Sequence, residues 1–301
     1  MSETRIERFY NKNYKKILII PLLLLIISIS ILLVKYNTTG EFIDRDVSLQ
    51  GGISATIYLE NEVNIEELTT YLQSQFPDSD ITVRALSKFG TGSTSGIIID
   101  ATDITNKEIQ PILEEKLNIK LEDNYSVQEI GSSLGESFFK EMLYAILFAF
   151  LFMGIVVFIT FRKLVPSVAV ILSALLDIII PLAIISVLGF KLSTAGIAAF
   201  LMVIGYSVDT DILLTTRVLK RKSGTYFSRM KGAFKTGMTM TLTTIAALTV
   251  GVIVTQSVII KEMFTIILIA LIIDLISTWF MNASLLTWYI KRKENEAIQN
   301  T

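Results

Sequence analysis

Six stretches of this 301-residue chain are apolar over lengths that only a membrane span requires. Crossing a hydrocarbon core of ~30 Å takes about 20 helical residues. A helix on the surface of a soluble protein keeps a polar face, and these stretches have none. The sequence therefore predicts an integral membrane α-helical bundle of six transmembrane helices, at residues 17–34, 142–161, 165–189, 192–216, 236–260 and 263–290.

Four aspartates lie inside the predicted spans: Asp177 in the third, Asp209 and Asp211 in the fourth, and Asp274 in the sixth. A carboxylate near the middle of a bilayer costs roughly 2.5–3.5 kcal/mol on insertion scales, so it needs a partner, water or a proton. Asp209 and Asp211 lie about 200° apart around a helix and face different neighbours. We interpret the four as an ion- or proton-responsive site. The alternative is a polar cluster that only fixes helix packing.

Two polar stripes at helical spacing accompany these acids. The first, in the fourth span, consists of Ser207, Asp211 and Thr215 and predicts a face turned toward protein or water. The second, in the fifth span, consists of Thr236, Thr239 and Thr243, beside the small residues Ala233, Gly237 and Thr241. Small residues at this spacing predict close helix packing, and the threonine hydroxyls are within reach of the acids of the fourth span.

Cysteine and histidine are both absent from the chain. This excludes disulfides, thiol nucleophiles and the usual zinc, haem and iron–sulfur ligands. Proton chemistry would have to use carboxylates, hydroxyls or water. Nothing in the sequence indicates an enzyme, and we predict no cofactor, no metal and no nucleic acid.

Basic residues flank the spans mainly on one side, at residues 5–16, 162–163, 217–235 and 291–293, whereas the opposite short loops carry only Lys191 and Lys261. By the positive-inside rule both termini are cytoplasmic in a multi-pass protein of the cell membrane. The predicted division is a cytoplasmic N-terminus (1–16), a first helix (17–35), an extracytoplasmic domain (36–139), a five-helix bundle (140–290) and a cytoplasmic tail (291–301).

The extracytoplasmic segment is acidic, with 18 Asp and Glu against 6 Lys and Arg. Alternating apolar residues predict strands at 51–60, 80–87, 96–101 and 125–130. Helical stripes predict two helices, capped by Asn64 and by Thr105 or Asn106. This order predicts an α+β ferredoxin-like domain. Gly51 and Gly52 predict a turn or a close backbone approach at the entrance of the first strand.

Five short motifs lie at positions that match one known family. They are residues 49–52, 127–135, Phe161-Arg162, residues 205–211 with the distal Arg217, and residues 239–244. With them the chain resembles, over essentially its whole length, the SecD/SecF family of protein-export membrane proteins, on the SecF side. The motif of the fourth helix is carried here by Gly205, Tyr206, Ser207 and Arg217, with Thr236, Thr239 and Thr243 as supporting residues in the fifth.

The resemblance implies a subunit that works with SecD beside the Sec translocation channel and assists an unfolded exported protein. It also implies contact with membrane lipids and a twelve-helix arrangement with SecD, similar to resistance–nodulation–division transporters. Bacterial members read Gly-Tyr-Ser-Ile-Asn-Asp-Thr where this chain has Gly205-Tyr206-Ser207-Val208-Asp209-Thr210-Asp211, and a His-Asp pair becomes Leu176-Asp177. The departures indicate an archaeal-like branch of the family. The mechanism described for bacterial members, in which protons drive pulling on the exported chain, therefore transfers to this branch only in part.

Three other functions remain alternatives. The first is half of a resistance–nodulation–division exporter of small molecules or lipids, which a substrate pocket in the outer domain would favour. The second is an assembly factor whose buried acids only set packing. The third is an intramembrane protease, whose paired acids would come from different helices, such as Asp177 and Asp209.

Overall fold

The computed structural model describes residues 5–59, 63–87, 94–121, 124–221, 223–255 and 257–299. The chain is mostly helical, with one small antiparallel sheet after the second long helix. Helix α1 (Arg5–Ile17) is amphipathic and basic, and α2 (Ile19–Thr39) is apolar on all sides. Helix α2 ends at Gly40, whose φ of 80° suits a residue without a Cβ.

An α+β domain follows. Its elements are α3 (Val47–Gln50), β1 (Gly52–Tyr58), α4 (Ile65–Gln75), β2 (Ile81–Ser87), β3 (Thr94–Ala101), α5 (Asn106–Leu117) and β4 (Tyr125–Ile130). The strand order is β2-β3-β1-β4, with all neighbours antiparallel. The four predicted strands and two predicted helices occur in the predicted order, and the N-caps are Asn64 and Thr105. Glu60, the predicted end of the first strand, lies outside the described residues.

The sheet buries one face under α4 and α5. Along β1, Ile53, Ala55 and Ile57 alternate into this core, where they meet Leu72 of α4 and Leu113 of α5. The opposite face is polar. There Ser54 Oγ donates to Asp100 Oδ1 at 2.6 Å, and Asp100 also pairs with Arg84. The period-2 alternation read from the sequence thus places the core on the helix-covered face.

Gly51 and Gly52 allow two close backbone approaches at the entrance of β1. Their φ angles are 90° and 124°. A Cβ on Gly51 would lie 2.3 Å from Ser132 Cα, and one on Gly52 would lie 2.2 Å from the carbonyl oxygen of Ala101. The predicted close approach is confirmed, because neither position has room for a side chain.

The α+β domain is joined to the helical bundle by backbone hydrogen bonds. The amide of Asp46 donates to Leu192 O at 2.9 Å, and the amide of Leu192 donates to Asp44 O at 2.7 Å. Lys191 adds an ion pair of 2.7 Å to Asp80. Burial raises the pKa of the Asp46 carboxyl, and the nearby charge of Asp100 raises it further. The loop at residues 188–193 is therefore fixed to the base of the domain.

The bundle comprises α6 (Ser132–Phe161), α7 (Leu164–Val187), α8 (Thr194–Lys220), α9 (Tyr226–Val254), α10 (Val258–Ile276), a π-helix (Ser277–Asn282) and α11 (Ala283–Gln299). Helices α7 and α8 occupy its centre, whereas α2, α6 and α9 expose most of their apolar surface. Within the described part of the chain, five helical segments are long and apolar enough to cross a membrane: Tyr10–Thr39, Ser132–Phe161, Leu164–Val187, Thr194–Lys220 and Tyr226–Val254.

The sixth predicted span, residues 263–290, is divided among α10, the π-helix and α11. Helix α10 is only 19 residues long and carries three charged side chains, Lys261 and Glu262 at its start and Asp274 near its end. Six crossings therefore remain a prediction. The break into a π-helix was not foreseen, because a single widened turn leaves no periodic signal in an apolar run.

Candidate functional site: a buried acidic cluster

Three of the four predicted aspartates meet where α7, α8 and α10 pack together. Their side chains are fully or almost fully buried, with exposures of 0% for Asp177, 0% for Asp211 and 1% for Asp274. The carboxyl groups are close enough to interact electrostatically. Three negative charges would repel one another strongly at a site so well buried from solvent. The cluster therefore requires protons or a counter-charge in order to be stable.

The π-helix supplies one hydrogen-bond donor to each of these acids. Ser277 Oγ donates to Asp177 Oδ1 at 2.6 Å, Thr278 Oγ1 donates to Asp274 Oδ1 at 3.2 Å, and Asn282 Nδ2 donates to Asp211 Oδ1 at 2.7 Å. A π-turn is uncommon and occurs frequently at functional sites. Here a single irregular turn contacts all three carboxyl groups.

The serine of the Gly-Tyr-Ser motif belongs to the same cluster. Ser207 Oγ donates to Asp177 Oδ2, which joins α8 to α7. Ser207, Asp211 and Thr215 are each 0% exposed. The predicted stripe on the fourth span is confirmed as a face turned toward protein.

Several polar atoms around Asp211 have no hydrogen-bond partner in the described part of the chain. They are Asp211 Oδ2, Ser173 Oγ, Thr215 Oγ1 and Asn282 Oδ1. An unsatisfied buried polar atom costs about 1–3 kcal/mol, so such atoms usually bind ordered water or another polar species. The region around Asp211 is thus suited to hold water, a proton or a small cation. In the described residues, no three acidic side chains are grouped as ligands for one metal ion.

Asp209 is not buried with the other three acids. Its side chain is exposed on the outer face of α8, as the angle between it and Asp211 predicted. It lines a cavity of about 220 Å³ together with Tyr206, Thr243 and Thr244, and Asp274 lines the same cavity. This cavity therefore connects an exposed acid on the membrane-facing surface with a buried acid of the cluster.

The described hydrogen bonds of Arg217 do not go to the aspartates. Arg217 donates to Gly232 O at 2.7 Å and to Thr236 Oγ1 at 2.9 Å, and so connects α8 with the start of α9. The hydroxyls of Thr239 and Thr243 donate to carbonyls of their own helix. The idea that the threonine stripe bonds the acids of α8 is not supported by the described hydrogen bonds.

Close packing of α9 is confirmed at Gly237. A Cβ there would lie 2.7 Å from Cζ2 of Trp279 and 3.2 Å from Cγ2 of Thr210. Gly205 of the family motif is different, because nothing lies within 4 Å of its Cβ position. It faces outward from the bundle, next to the exposed Tyr206.

Sequence reasoning missed the residues of the π-helix. Ser277, Thr278 and Asn282 were not among the predicted site residues, although each contacts an acid. The available signal was three polar residues within a predicted span that otherwise carries few of them. The example pair given for a protease, Asp177 with Asp209, is not brought together, because Asp209 is exposed on α8. The acids from different helices that do meet are Asp177, Asp211 and Asp274.

The chain is similar to known export proteins. The family model "Protein export membrane protein SecD/SecF, C-terminal" matches residues 112–292. The protein-export membrane protein SecF of Methanocaldococcus jannaschii is 41% identical over 93% of this chain and 96% of its own length. The SecF of Methanothermobacter thermautotrophicus is 39% identical over 93% of this chain and 94% of its own length.

Two solved structures share the fold. The translocon-associated SecDF of Thermus thermophilus superimposes with a TM-score of 0.73 at 18% identity, over 94% of this chain. SecDF in its super-membrane-facing form superimposes with a TM-score of 0.62 at 17% identity, over 97% of this chain. The chain spans only 38% and 40% of those two longer chains.

Proposed function

This multi-pass membrane protein belongs to the SecF family of protein-export membrane proteins, and from that membership we propose that it works with a SecD partner to assist protein export across the cell membrane. The observation that carries the proposal is the similarity to SecF proteins over 93% of the chain, from the first helix through the bundle. Catalysis is not part of the proposal, since the relatives are named for transport.

The topology we propose has six crossings, with both termini in the cytoplasm and a ferredoxin-like domain outside. The five apolar helices, the basic residues at residues 217–235 and 291–293, and the strand order β2-β3-β1-β4 support it. The sixth crossing would run through α10, the π-helix and the start of α11. The acidic outer domain would meet the exported, unfolded chain as it leaves the Sec channel.

The face of α8 that carries Asp209 is the surface we assign to SecD. An exposed aspartate in a membrane span needs a partner that lipid tails cannot provide. Gly205 leaves room for a second helix to approach, and Tyr206 and Thr243 offer hydrogen-bonding groups beside it. A helix of SecD that presents a basic or amide side chain to Asp209 would satisfy this surface.

Ion-gradient coupling would act through Asp177, Asp211 and Asp274, with Asp209 at the mouth of the 220 Å³ cavity. Loading or releasing a proton or cation changes the charge of the cluster and so the packing of the π-helix against α7 and α8. Helix α8 is suited to transmit this change. Asp211 lies 17 residues from its first residue, Thr194, or about 26 Å along the axis.

The far end of α8 contacts the α+β domain directly. The amide of Thr194 donates to Ser48 Oγ at 3.1 Å, and Leu192 forms an isolated β-bridge with Arg45. A shift of α8 would therefore move the base of the outer domain.

A membrane purification with crosslinking and mass spectrometry tests the export role. The full-length tagged chain, purified from its own cells in mild detergent, should carry a stoichiometric SecD-like protein and crosslinks to the translocation channel. Substituting Asp209 by Lys should remove the SecD-like partner, whereas substituting the exposed Thr249 on α9 should not. Recovery of the chain alone, or with an outer-envelope adaptor, would refute the role and favour the small-molecule exporter.

A further inference from the structure

A groove between α1 and α9 is distinct from the acidic cluster and from the face assigned to SecD. Its volume is about 550 Å³. Helix α1 and the start of α2 form one wall, α9 forms the other, and the π-helix with the start of α11 forms the floor. The residues that line it are Tyr10, Ile17, Ile20, Phe227, Met230, Lys231, Phe234, Trp279, Phe280 and Ala283.

The walls of this α1–α9 groove are apolar. Phe227, Met230, Lys231 and Phe234 share one face of α9 at spacings of three and four residues. Phe234 packs edge-on against Trp279 with ring centroids 4.9 Å apart. Among the described residues that line the groove, Lys231 is the one with a charge, so the interior suits a hydrocarbon.

The volume of the groove favours a lipid chain over a protein helix. One turn of an α-helix with its side chains occupies roughly 500 Å³, so a helix would fill the groove with a single turn and leave the rest of its length outside. A flexible hydrocarbon chain can follow the groove along its length. Pockets that bury single small ligands have volumes of about 300–1,000 Å³, and the groove falls within that range.

The positive charge beside the groove determines which lipid headgroup can bind there. Lys231 is exposed, and no acidic side chain of the described residues forms an ion pair with it. Lys12 and Lys16 of α1 and Lys235 of α9 are exposed nearby along the same two helices. A long lysine side chain can lie along the apolar wall while its ammonium group meets a phosphate at the surface.

We propose that the α1–α9 groove binds one chain of an anionic membrane lipid, with the headgroup phosphate held by Lys231. The bound chain would fill the space between α1 and the bundle. It would thereby fix the first helix against α9 and the π-helix. This site does not depend on the export role, because it follows from the groove and its charge alone.

Tryptophan fluorescence provides a direct test, because the chain has only two tryptophans. The variant Trp288→Phe retains Trp279 in the groove, and Trp279→Phe retains Trp288 as the matched control. The full-length variants are reconstituted into phosphatidylcholine vesicles with a minor fraction of phosphatidylglycerol, and the chains of one lipid or the other are brominated.

Brominated phosphatidylglycerol should quench Trp279 more than an equal amount of brominated phosphatidylcholine, with a preference of about fivefold, which one lysine near a phosphate provides. Lys231→Gln should abolish this preference, and Ala283→Phe should remove the quenching by filling the groove. Circular dichroism and gel filtration of each variant verify the fold.

Two results would overturn the proposal. If neither lipid quenches Trp279, the groove is closed to lipid and is occupied by protein. If both lipids quench it equally before and after Lys231→Gln, the groove has no headgroup site. Because Lys231→Gln changes only an exposed residue, the test remains valid if Ala283→Phe fails to fold.

Discussion

In the α+β domain the fully buried side chains are aliphatic, whereas in the centre of the helical bundle they include carboxyl, hydroxyl and amide groups. Ile53, Ile57 and Ile99 are 0% exposed in the domain, and Asp177 and Asp211 are 0% exposed in the bundle. The domain hides its apolar residues from water. The bundle exposes many apolar residues on its outside and encloses its polar residues among buried apolar ones such as Leu176, Phe200 and Val203.

The two arrangements satisfy different requirements. Apolar burial stabilises the domain by roughly 25 cal/mol for each Å² removed from water. In a membrane the surroundings of the bundle are already apolar, so packing and internal hydrogen bonds must hold its helices together. Buried acids contribute little to stability there and are costly unless paired. We infer that the domain core supports the fold and that the acidic cluster supports function.

The largest effect is expected from Ile99→Ala in the domain core. Removing most of a buried isoleucine creates a cavity and costs about 2–5 kcal/mol. Hydrogen exchange should show faster opening of the sheet, while the amides of α7 and α8 remain protected. The matched control is Ser126→Ala on the exposed part of β4, which should change stability by less than about 0.5 kcal/mol. Equal loss of protection in the sheet and the bundle would show that the two regions unfold as one unit.

The next effect is expected from Asp211→Asn, which removes a charge from the bundle with almost no change of shape. Export by the reconstituted complex should fall about 5- to 150-fold, the range of a typical coupling free energy. The abundance and thermal stability of the protein should be nearly unchanged. Ser167→Ala, which alters a buried hydroxyl that bonds only Lys163 O, serves as the control. Undiminished export by Asp211→Asn would assign the cluster to packing and favour the assembly-factor alternative.

The sequence predicted the domain better than it predicted the cluster, and the reason is periodicity. Ile53, Ala55 and Ile57 alternate, and Asn64 and Thr105 mark helix starts, so strands and caps followed from local rules. The three buried acids meet only through the tertiary packing of three helices, and no local sequence pattern predicts that packing.

The importance of individual acids could nevertheless be predicted, because burying a charge in a membrane is costly wherever in the sequence the residue lies. The angle between Asp209 and Asp211 correctly placed them on different faces of α8. The donors Ser277, Thr278 and Asn282 were missed because their positions depend on a π-turn. That turn widens the spacing to i+5 and breaks the helical register from which side-chain faces are predicted.

A smaller effect is expected from Thr278→Val, which removes the donor to Asp274. This bond lies within one continuous helical segment. Hydrogen bonds between membrane helices contribute about 0.6 kcal/mol on average, so the bundle should lose no more stability than that order. Thermal unfolding in one detergent measures the change. Thr265→Val, whose hydroxyl donates to Lys261 O in the same helix, is the matched control. If the control loses as much as Thr278→Val, the bond to Asp274 contributes nothing specific.

The smallest effect is expected from Lys191→Ala at the joint between the two regions. The ion pair of Lys191 with Asp80 is partly exposed, and such pairs contribute about 0–1 kcal/mol and weaken in salt. The backbone hydrogen bonds between Leu192 and residues 44–46 remain, so the domain should stay attached and export should continue. Unfolding at low and high salt, with Lys116→Ala within the domain as control, measures the pair. A loss well above 1 kcal/mol would mean that the joint depends on this one contact, and motion of α8 would then reach the domain through Lys191 rather than through the backbone.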